Sequence, residues 1–586
     1  MTFRLPILIC LCVLLVGCGQ TVTDQPTGVA LPFSGSQLQE RSDREPTSFV
    51  KIEPGKVTKT EYEATVINTD QFESRVWRTE PYKGDIRDVE GLRGGDADPP
   101  EIRRLAPNDL AVDGNVIDMD RIHPVSSFPG IDQSFFTPPD PTVCVGPNHI
   151  VQMVNSEIAF FTKDGQVTFQ APLGSQSNDG FFVDAGAEDF CVDPRCFYDH
   201  YENRFVVMCL EVYFDSNDSY LTLAVSDDDD PNGTWFRYRT DGVYQVNGDN
   251  NFADYPTFGY DQQGYYIAGN LFAIQTFQFN GTSIRTIDKT PLLDGEPIEV
   301  NDIVQSGFFT IQMTKSYDSP PVPLGVTFNS TTAATLVAVE NPFINPTLVT
   351  TNVSVPSYNT SGVASNGSGM ILVIGGRAMN AHVRDGRLYT CHSISDNGQE
   401  LARWYEFELN GWPTSGSPTL VQSGDINLGA GQETYFPAIF ANRNGSIALV
   451  YGNSSASDLA SVRASGRNVS DPLGTMSVSE QFDISSAVAN GRYGDYFDIA
   501  IDPADDSTFW VVGQTQEGFG WDTVINSFIV PALGDVNCDG AINLLDVQPF
   551  VDLLTTGGFS DKADFNGDGQ VNLLDIAGFV DAISGG

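Results

Sequence analysis

The sequence predicts an all-β protein with a small helical module at its C-terminus. Three observations carry that prediction. From about residue 130 to 532, short apolar and aromatic runs alternate with Gly, Asn, Asp and Pro turns, without helical periodicity of useful length. Within that stretch one strand–turn–strand unit recurs. The final residues, 533–586, hold one oxygen-rich loop twice, each copy followed by an apolar helical run.

The 586-residue chain carries 76 acidic and 31 basic side chains, a net charge of −45. That excess argues against nucleic acid or anionic lipid as a partner. The length suits two or three domains. Arg4 followed by the apolar residues 5–16 reads as an export signal, too short to span a bilayer. It ends in Leu15, Val16, Gly17 and Cys18, which resembles a bacterial lipobox. The resemblance implies a signal peptide over 1–18 and a lipid on Cys18, the only membrane contact expected. Gly19 follows Cys18, which points to the outer membrane or cell surface; secretion behind an ordinary signal peptide is the alternative. Residues 19–125 lack sustained periodicity and read as a tether and irregular region, with a strand or two within 57–77.

The repeat begins at Asp140, Asp193, Asp254, Thr434 and Asp495. Examples are Asp193-Pro-Arg-Cys-Phe-Tyr-Asp199 before Phe205-Val-Val-Met, and Asp495-Tyr-Phe-Asp-Ile-Ala-Ile-Asp502 before Phe509-Trp-Val-Val. Neighbouring starts lie 53, 61 and 61 residues apart, and the gap of 180 has room for two more units. One of these shows a turn and second strand near Val383–Cys391; the other, within 303–350, is indistinct. This pattern over 130–532 resembles a seven-bladed β-propeller, with six or eight blades as alternatives. Residues 226–235 (Ser226, Asp230, Gly233, Trp235) resemble a loosened Asp box, the hairpin turn of sialidase-like propellers, which there is structural.

If the first strand of each unit is innermost, Asp140, Asp193, Asp254 and Asp495 converge on one end of the channel. Such carboxylates suit a cation, a sugar or a water; alternatively each caps the backbone of its own loop. A sialidase needs three arginines, a Tyr–Glu nucleophile and an Asp acid. Arg195, Arg377, Arg384 and Arg492 are candidates but do not share a repeat position, so catalytic residues stay unknown. His149, His200, His382 and His392 form no metal motif, and their expected use is packing or hydrogen bonding. Cys144, Cys191, Cys196 and Cys209 suit one or two structural disulfides in an exported chain, in a pairing that spacing leaves open.

In the tail, Asp535, Asn537, Asp539, Asn543 and Asp546 recur as Asp564, Asn566, Asp568, Asn572 and Asp575. These are loop positions 1, 3, 5, 9 and 12, with Ala541 and Gln570 offering carbonyls at position 7 and Gly540 and Gly569 turning the chain at position 6. The spacing is that of a calcium loop, because a hard cation takes six to eight oxygens at about 2.3–2.6 Å and alternate residues of a tight loop point inward together. Two loop–helix copies without entering helices resemble the type I dockerin module. The resemblance implies two Ca²⁺ ions and attachment to a cohesin-like or other surface protein. Positions 10 and 11, where dockerins contact cohesins, are Leu544-Leu545 and Leu573-Leu574, and Pro549 is expected to kink or shorten the first helix.

Three functions follow. The first is an exported, lipid-anchored surface protein whose propeller binds glycan or protein. The second is a secreted glycoside hydrolase or lyase of polysaccharide breakdown. The third is a structural cell-surface component.

Overall fold

A computed structural model describes residues 50–52, 56–71, 122–134, 136–174, 180–188, 190–489, 491–518, 520–560 and 562–585. Cys18, with the expected signal and most of the tether, lies outside them.

The central region is a β-propeller built from antiparallel meanders. Five separate sheets have four or five strands, and a sixth has twelve. The first meander runs Thr142–Val145, His149–Val154, Glu157–Thr162 and Val167–Pro172. The next begins at Cys191–Asp199 and the third at Asp249–Tyr260. Meanders follow from Gln312–Met313, Asn380–Arg384, Glu433–Ala441 and Asp498–Ile501. The first strands of successive meanders pack side by side in cyclic order, and the last touches the first. They therefore line the axis. Within the gap of the repeat, strands occur at Leu324–Ser330, Ala333–Glu340 and Thr347–Ser354, where the pattern is indistinct, and at Asn380–Arg384 through Thr419–Ile426, around the turn expected near Val383–Cys391.

Second strands such as Arg204–Tyr213 and Gly264–Ala273 are buried almost throughout, with no in–out alternation. Each lies between two neighbouring sheets and buries both faces, which selects continuous apolar runs. Trp235 shows what the loosened Asp box does. Its ring stacks 5.7 Å from Phe160 of the preceding meander, and its indole N–H donates to Pro231 O at 2.8 Å. Ser226 Oγ accepts from Phe205 N at 2.8 Å, so the turn is clamped to the neighbouring strand.

Two features complete the sheet edges, the first of them where the sequence predicts a strand or two within 57–77. Residues assigned to the irregular N-terminal region form three edge strands: Val50–Ile52 on Thr347–Ser354, Lys56–Tyr62 on Ile298–Gln305, and Thr65–Asn68 on Thr234–Asp241. They pair by backbone with outer edges that would otherwise be open. The described side chains of Lys56–Tyr62 are mostly exposed, whereas Ile67 of the third strand is buried. In addition, His123–Asp132 forms the outermost strand of the last meander, against Gly520–Ile529. Pro124 and Pro129 hide this strand from a propensity reading, and both fall on its irregular, bulged pairing.

This closing strand places Asp132 near the partly buried Glu157. Burial pushes the Glu157 carboxyl up to about 7; the Gln170 amide opposes the shift and Asp132 adds to it. The folded chain then keeps a proton that the unfolded chain releases near its ordinary value of 4.5. This contribution to stability is complete below that value and is lost as pH rises through 7. Glu157→Gln is expected to flatten the fall of the urea midpoint between about pH 5 and 7.5, and an unchanged slope would remove Glu157 as its cause.

Candidate metal loops and the channel carboxylates

The two C-terminal loops share the hydrogen bonds of positions 1, 3 and 12. At position 1, Asp535 accepts from Asp539 N and Gly540 N, both at 3.0 Å; Asp564 accepts from Asp568 N at 3.1 Å and Gly569 N at 2.7 Å. At position 3, Asn537 and Asn566 each accept at 2.9 Å from the N–H two residues on. At position 12, Asp546 accepts from Asn537 N and Asn543 N, and Asp575 from Asn566 N and Asn572 N. Asp535, Asp546 and Asp575 are buried. Position 9 serves twice, because Asn543 and Asn572 also cap the following turn through Leu545 N and Leu574 N.

Each loop turns through two left-handed residues, at positions 4 and 6. Gly540 and Gly569 have φ of 86° and 78°; Cys538 and Gly567 have 56° and 69°. The position 4 turn was missed in the sequence because the first copy has Cys where the second has Gly. Pro549 corrects an expectation. It falls in the first turn of the helix Val547–Thr556, where a missing N–H costs little, and that helix is as long as its counterpart Ile576–Gly585, 10 residues each. Phe550 and Phe579, one from each helix, stack with centroids 3.9 Å apart over Ala563 and Val571.

The donor set fits a hard cation. It consists of carboxylate, amide and carbonyl oxygens. Burial pushes the Asp535 carboxyl up to about 6, and the Asp546 and Asp539 charges add to the shift, a repulsion that a cation would relieve. Among the described residues no three acidic, His or Cys side chains hold a metal by themselves, so the amides and backbone carbonyls must share the work. When bound, calcium would supply charge neutralisation and a common centre for each loop. The chain's part is to hold Asp535 and Asp564 by backbone N–H bonds and to anchor position 12 beneath its helix.

The copies differ in surroundings. Ser507 Oγ donates to Gly540 O at 3.0 Å, and a Cβ on Gly540 would stand 3.0 Å from that side chain. The first loop is therefore seated on the last meander, whereas Gln570, Gly569 and Asp568 of the second are exposed. Four apolar positions are exposed in both copies, 29 residues apart: Leu544 and Leu573 at 77% and 79%, Leu545 and Leu574 at 67% and 71%, Val547 with Ile576, and Val551 with Val580.

At the channel, Asp140, Asp193, Asp254 and Asp495 are all buried. Burial raises the Asp140 and Asp254 carboxyls well above the ordinary range; Asp495 and Asp193 add to this for Asp140, and Asp193 and Asp495 for Asp254. The four therefore sense one another from different sheets. Asp193 Oδ2 accepts from Tyr255 N of the next meander at 3.1 Å, and Asp193 N donates to Asn155 Oδ1 of the previous one at 2.7 Å. Asn155 also donates to Asp140 Oδ2 at 2.8 Å. Asp193 and Tyr255, with φ of 49° and 51°, are left-handed, as are Thr310 and Phe436, and each of these N–H groups is caught by a side chain of the preceding meander: Asn270 at 2.7 Å for Thr310 and Ser393 at 3.0 Å for Phe436. This latch between sheets departs from the expected cap on each residue's own loop. Asp495 pairs with Arg492, and the Asp254 oxygens have no hydrogen-bond partner among the described residues.

Three of the four arginine candidates gather here despite unequal repeat positions. Arg195 lies 3.5 Å from the Tyr496 ring centroid and Arg377 4.8 Å from that of Tyr255, while Arg492, entering the last meander, lowers the Asp140 carboxyl of the adjoining first one. Arg384 pairs with Asp506 instead. His382 Nε2 accepts from Ala441 N at 2.9 Å and His392 Nε2 meets Tyr405 Oη at 2.9 Å, in line with packing and hydrogen bonding. Burial drives the His382 imidazole well below its usual range and brings His392 down to about 3.

Comparison with known proteins adds the following. No curated protein matches the chain. Similar solved structures include the Hadza microbial sialidase Hz136, with 11% identity, 67% of this chain and 65% of that chain covered, and a TM-score of 0.33. This chain thus spans less than two thirds of that sialidase. The BP39L lectin from Burkholderia pseudomallei has 10% identity, covering 67% of this chain and 96% of its own, with a TM-score of 0.39. Trypanosoma rangeli sialidase has 9% identity, 63% and 57% coverage, and a TM-score of 0.30. The family model of the dockerin type I domain matches residues 533–581, and the C-terminal module is a dockerin type I domain.

Proposed function

We propose that this chain is an exported surface protein that is attached to a partner through its calcium-loaded dockerin domain and presents a glycan-binding propeller. The observation that carries the reading is the double set of exposed apolar side chains at equivalent positions of two matching loops. Two calcium ions hold that face in shape, one per loop. The partner is cohesin-like, with an apolar face that complements leucines where other dockerins carry Ser or Thr. The propeller has seven blades on this reading, because the twelve-stranded sheet is two meanders joined through Lys315–Ser316, which adds two to the five separate sheets. Binding rather than catalysis is favoured by the use of Asp193 and Asp140 in latches between sheets. A lipid on Cys18 would fix the chain to the cell surface.

Calorimetry with a cohesin-type domain in calcium tests the attachment. Replacing Leu544, Leu545, Leu573 and Leu574 together by Asp is expected to weaken binding at least 100-fold, since each truncated apolar anchor of this kind costs on the order of 1 kcal/mol or more, with Tm unchanged because these side chains are exposed. Undiminished binding would overturn the reading. A polysaccharide panel on the full chain tests the propeller: retention without product release is expected, and release would replace binding by glycoside hydrolysis.

A further inference from the structure

We propose that the propeller carries two disulfide sites, Cys144 with Cys196 and Cys191 with Cys209, the first joining the first two meanders and the second joining two strands of the second meander. All four cysteines belong to one hydrophobic cluster and are buried, and all are thiols in the structure. They act on one another in pairs: Cys196 perturbs the Cys144 thiol, and Cys209 that of Cys191.

The strands explain both juxtapositions. Cys191 is paired in register with Glu211, two residues from Cys209 on the same strand, so Cys191 and Cys209 share a sheet face. The register shift between Met208 and Leu210 lies at this point. Cys144 and Cys196 sit on first strands of consecutive meanders, which Thr142 bridges: its Oγ1 accepts from Cys196 N at 3.3 Å and lies 3.5 Å from Cys196 Sγ. Cys391 is the contrast, because its sulfur donates to Pro437 O at 3.2 Å. Spacing along the chain could not have selected these pairs. Cys191 and Cys196 are closest in sequence, yet each has its partner elsewhere.

Each bond forms by exchange. One thiolate attacks the disulfide of an exogenous dithiol–disulfide oxidoreductase or of oxidised glutathione, giving a mixed disulfide. The second cysteine displaces the carrier thiol. Two electrons and two protons leave the chain, and the carrier is reduced. Burial pushes the Cys144 thiol up, and the Cys209 side chain together with burial does the same to Cys191, so the exchange belongs to folding, before the sheets close.

The test uses the full chain refolded with a glutathione redox pair, which keeps the result independent of export. Alkylation in denaturant without reductant, then digestion and mass spectrometry, is expected to give two linked peptide pairs, 144 with 196 and 191 with 209, and alkylated Cys391. Alkylation of all four, or links in another pairing, would overturn the assignment. Cys144→Ser with Cys196→Ser is expected to lower Tm by several degrees relative to the oxidised chain; reduced parent protein that melts where the oxidised chain does would overturn the proposed staple.

Discussion

Chelating calcium is expected to melt the C-terminal module ahead of the propeller, so that full-length protein shows two calorimetric transitions instead of one. The module's own core is small: Phe550, Ala563, Val571 and Phe579, with a few half-buried neighbours. A core of that size holds few residues by burial alone, and domains of this scale generally rely on metals or disulfides. Ion binding to the folded loops alone stabilises by roughly 4 kcal/mol at a thousandfold excess over Kd. Without the ion, Asp535, Asp539 and Asp546 repel within one turn. Asp535→Ala and Asp564→Ala are expected to reproduce the chelator in part and to differ from each other. The first loop is held to the propeller by the Ser507 bond to Gly540 O, so Asp535→Ala should also free the module and expose residues 531–534 to protease. Asp564→Ala should leave that junction protected. A melt unchanged by chelator would remove both loops as metal sites, and equal proteolysis of the two variants would remove the junction as a consequence of the first.

What could be read in the sequence divides along physical lines. The loops were legible because the ligands are local: Asp535 to Asp546 are twelve consecutive residues, and each hydrogen bond that shapes the loop closes within them. The inner and second strands were legible because burial on both faces forces long apolar runs such as Phe205 to Leu210. A strand or two was legible within 57–77, but not the edges they cover, because Lys56–Tyr62 and Thr65–Asn68 pair by backbone with Ile298–Gln305 and Thr234–Asp241, far along the chain. Pro549 misled because its consequence depends on helix position, one turn from the start instead of the middle. The channel carboxylates were found by repeat position, but their latching role was hidden. Asp193 reaches Tyr255, 62 residues on, and that partner is set by the closing of the ring. The arginines were harder still, since Arg195, Arg377 and Arg492 converge from different places in their units.

Removing the closing strand is expected to have the largest effect on folding. His123–Asp132 supplies the outer strand of the last meander, and its loss leaves Gly520–Ile529 as an open edge. It also ties that meander to the first. Ile131 N donates to Gln152 Oε1 at 2.8 Å, Gln152 Nε2 donates to Thr523 Oγ1 at 2.7 Å, and Thr523 Oγ1 donates back to Ile131 O at 2.7 Å. Phe128 and Ile131 are buried with Val143, Ile150, Trp510 and Trp521 in the cluster between the two. A ring of sheets gains its last interface only when the two ends meet, so the loss falls on the whole propeller and not on one edge. A chain beginning at residue 134 should therefore yield aggregated protein without a cooperative transition, whereas a chain beginning at residue 122, which lacks only the three edge strands of 50–68, should keep one. Phe128→Ala tests the same seam more gently. It removes a buried aromatic ring and is expected to cost about 3–5 kcal/mol, read as a lower urea midpoint at unchanged m-value. If the truncated chain folded cooperatively with the parent's midpoint, the ring would be closed by contacts between Asp498–Ile501 and Thr142–Val145 alone, and the strand would be an ornament on its edge.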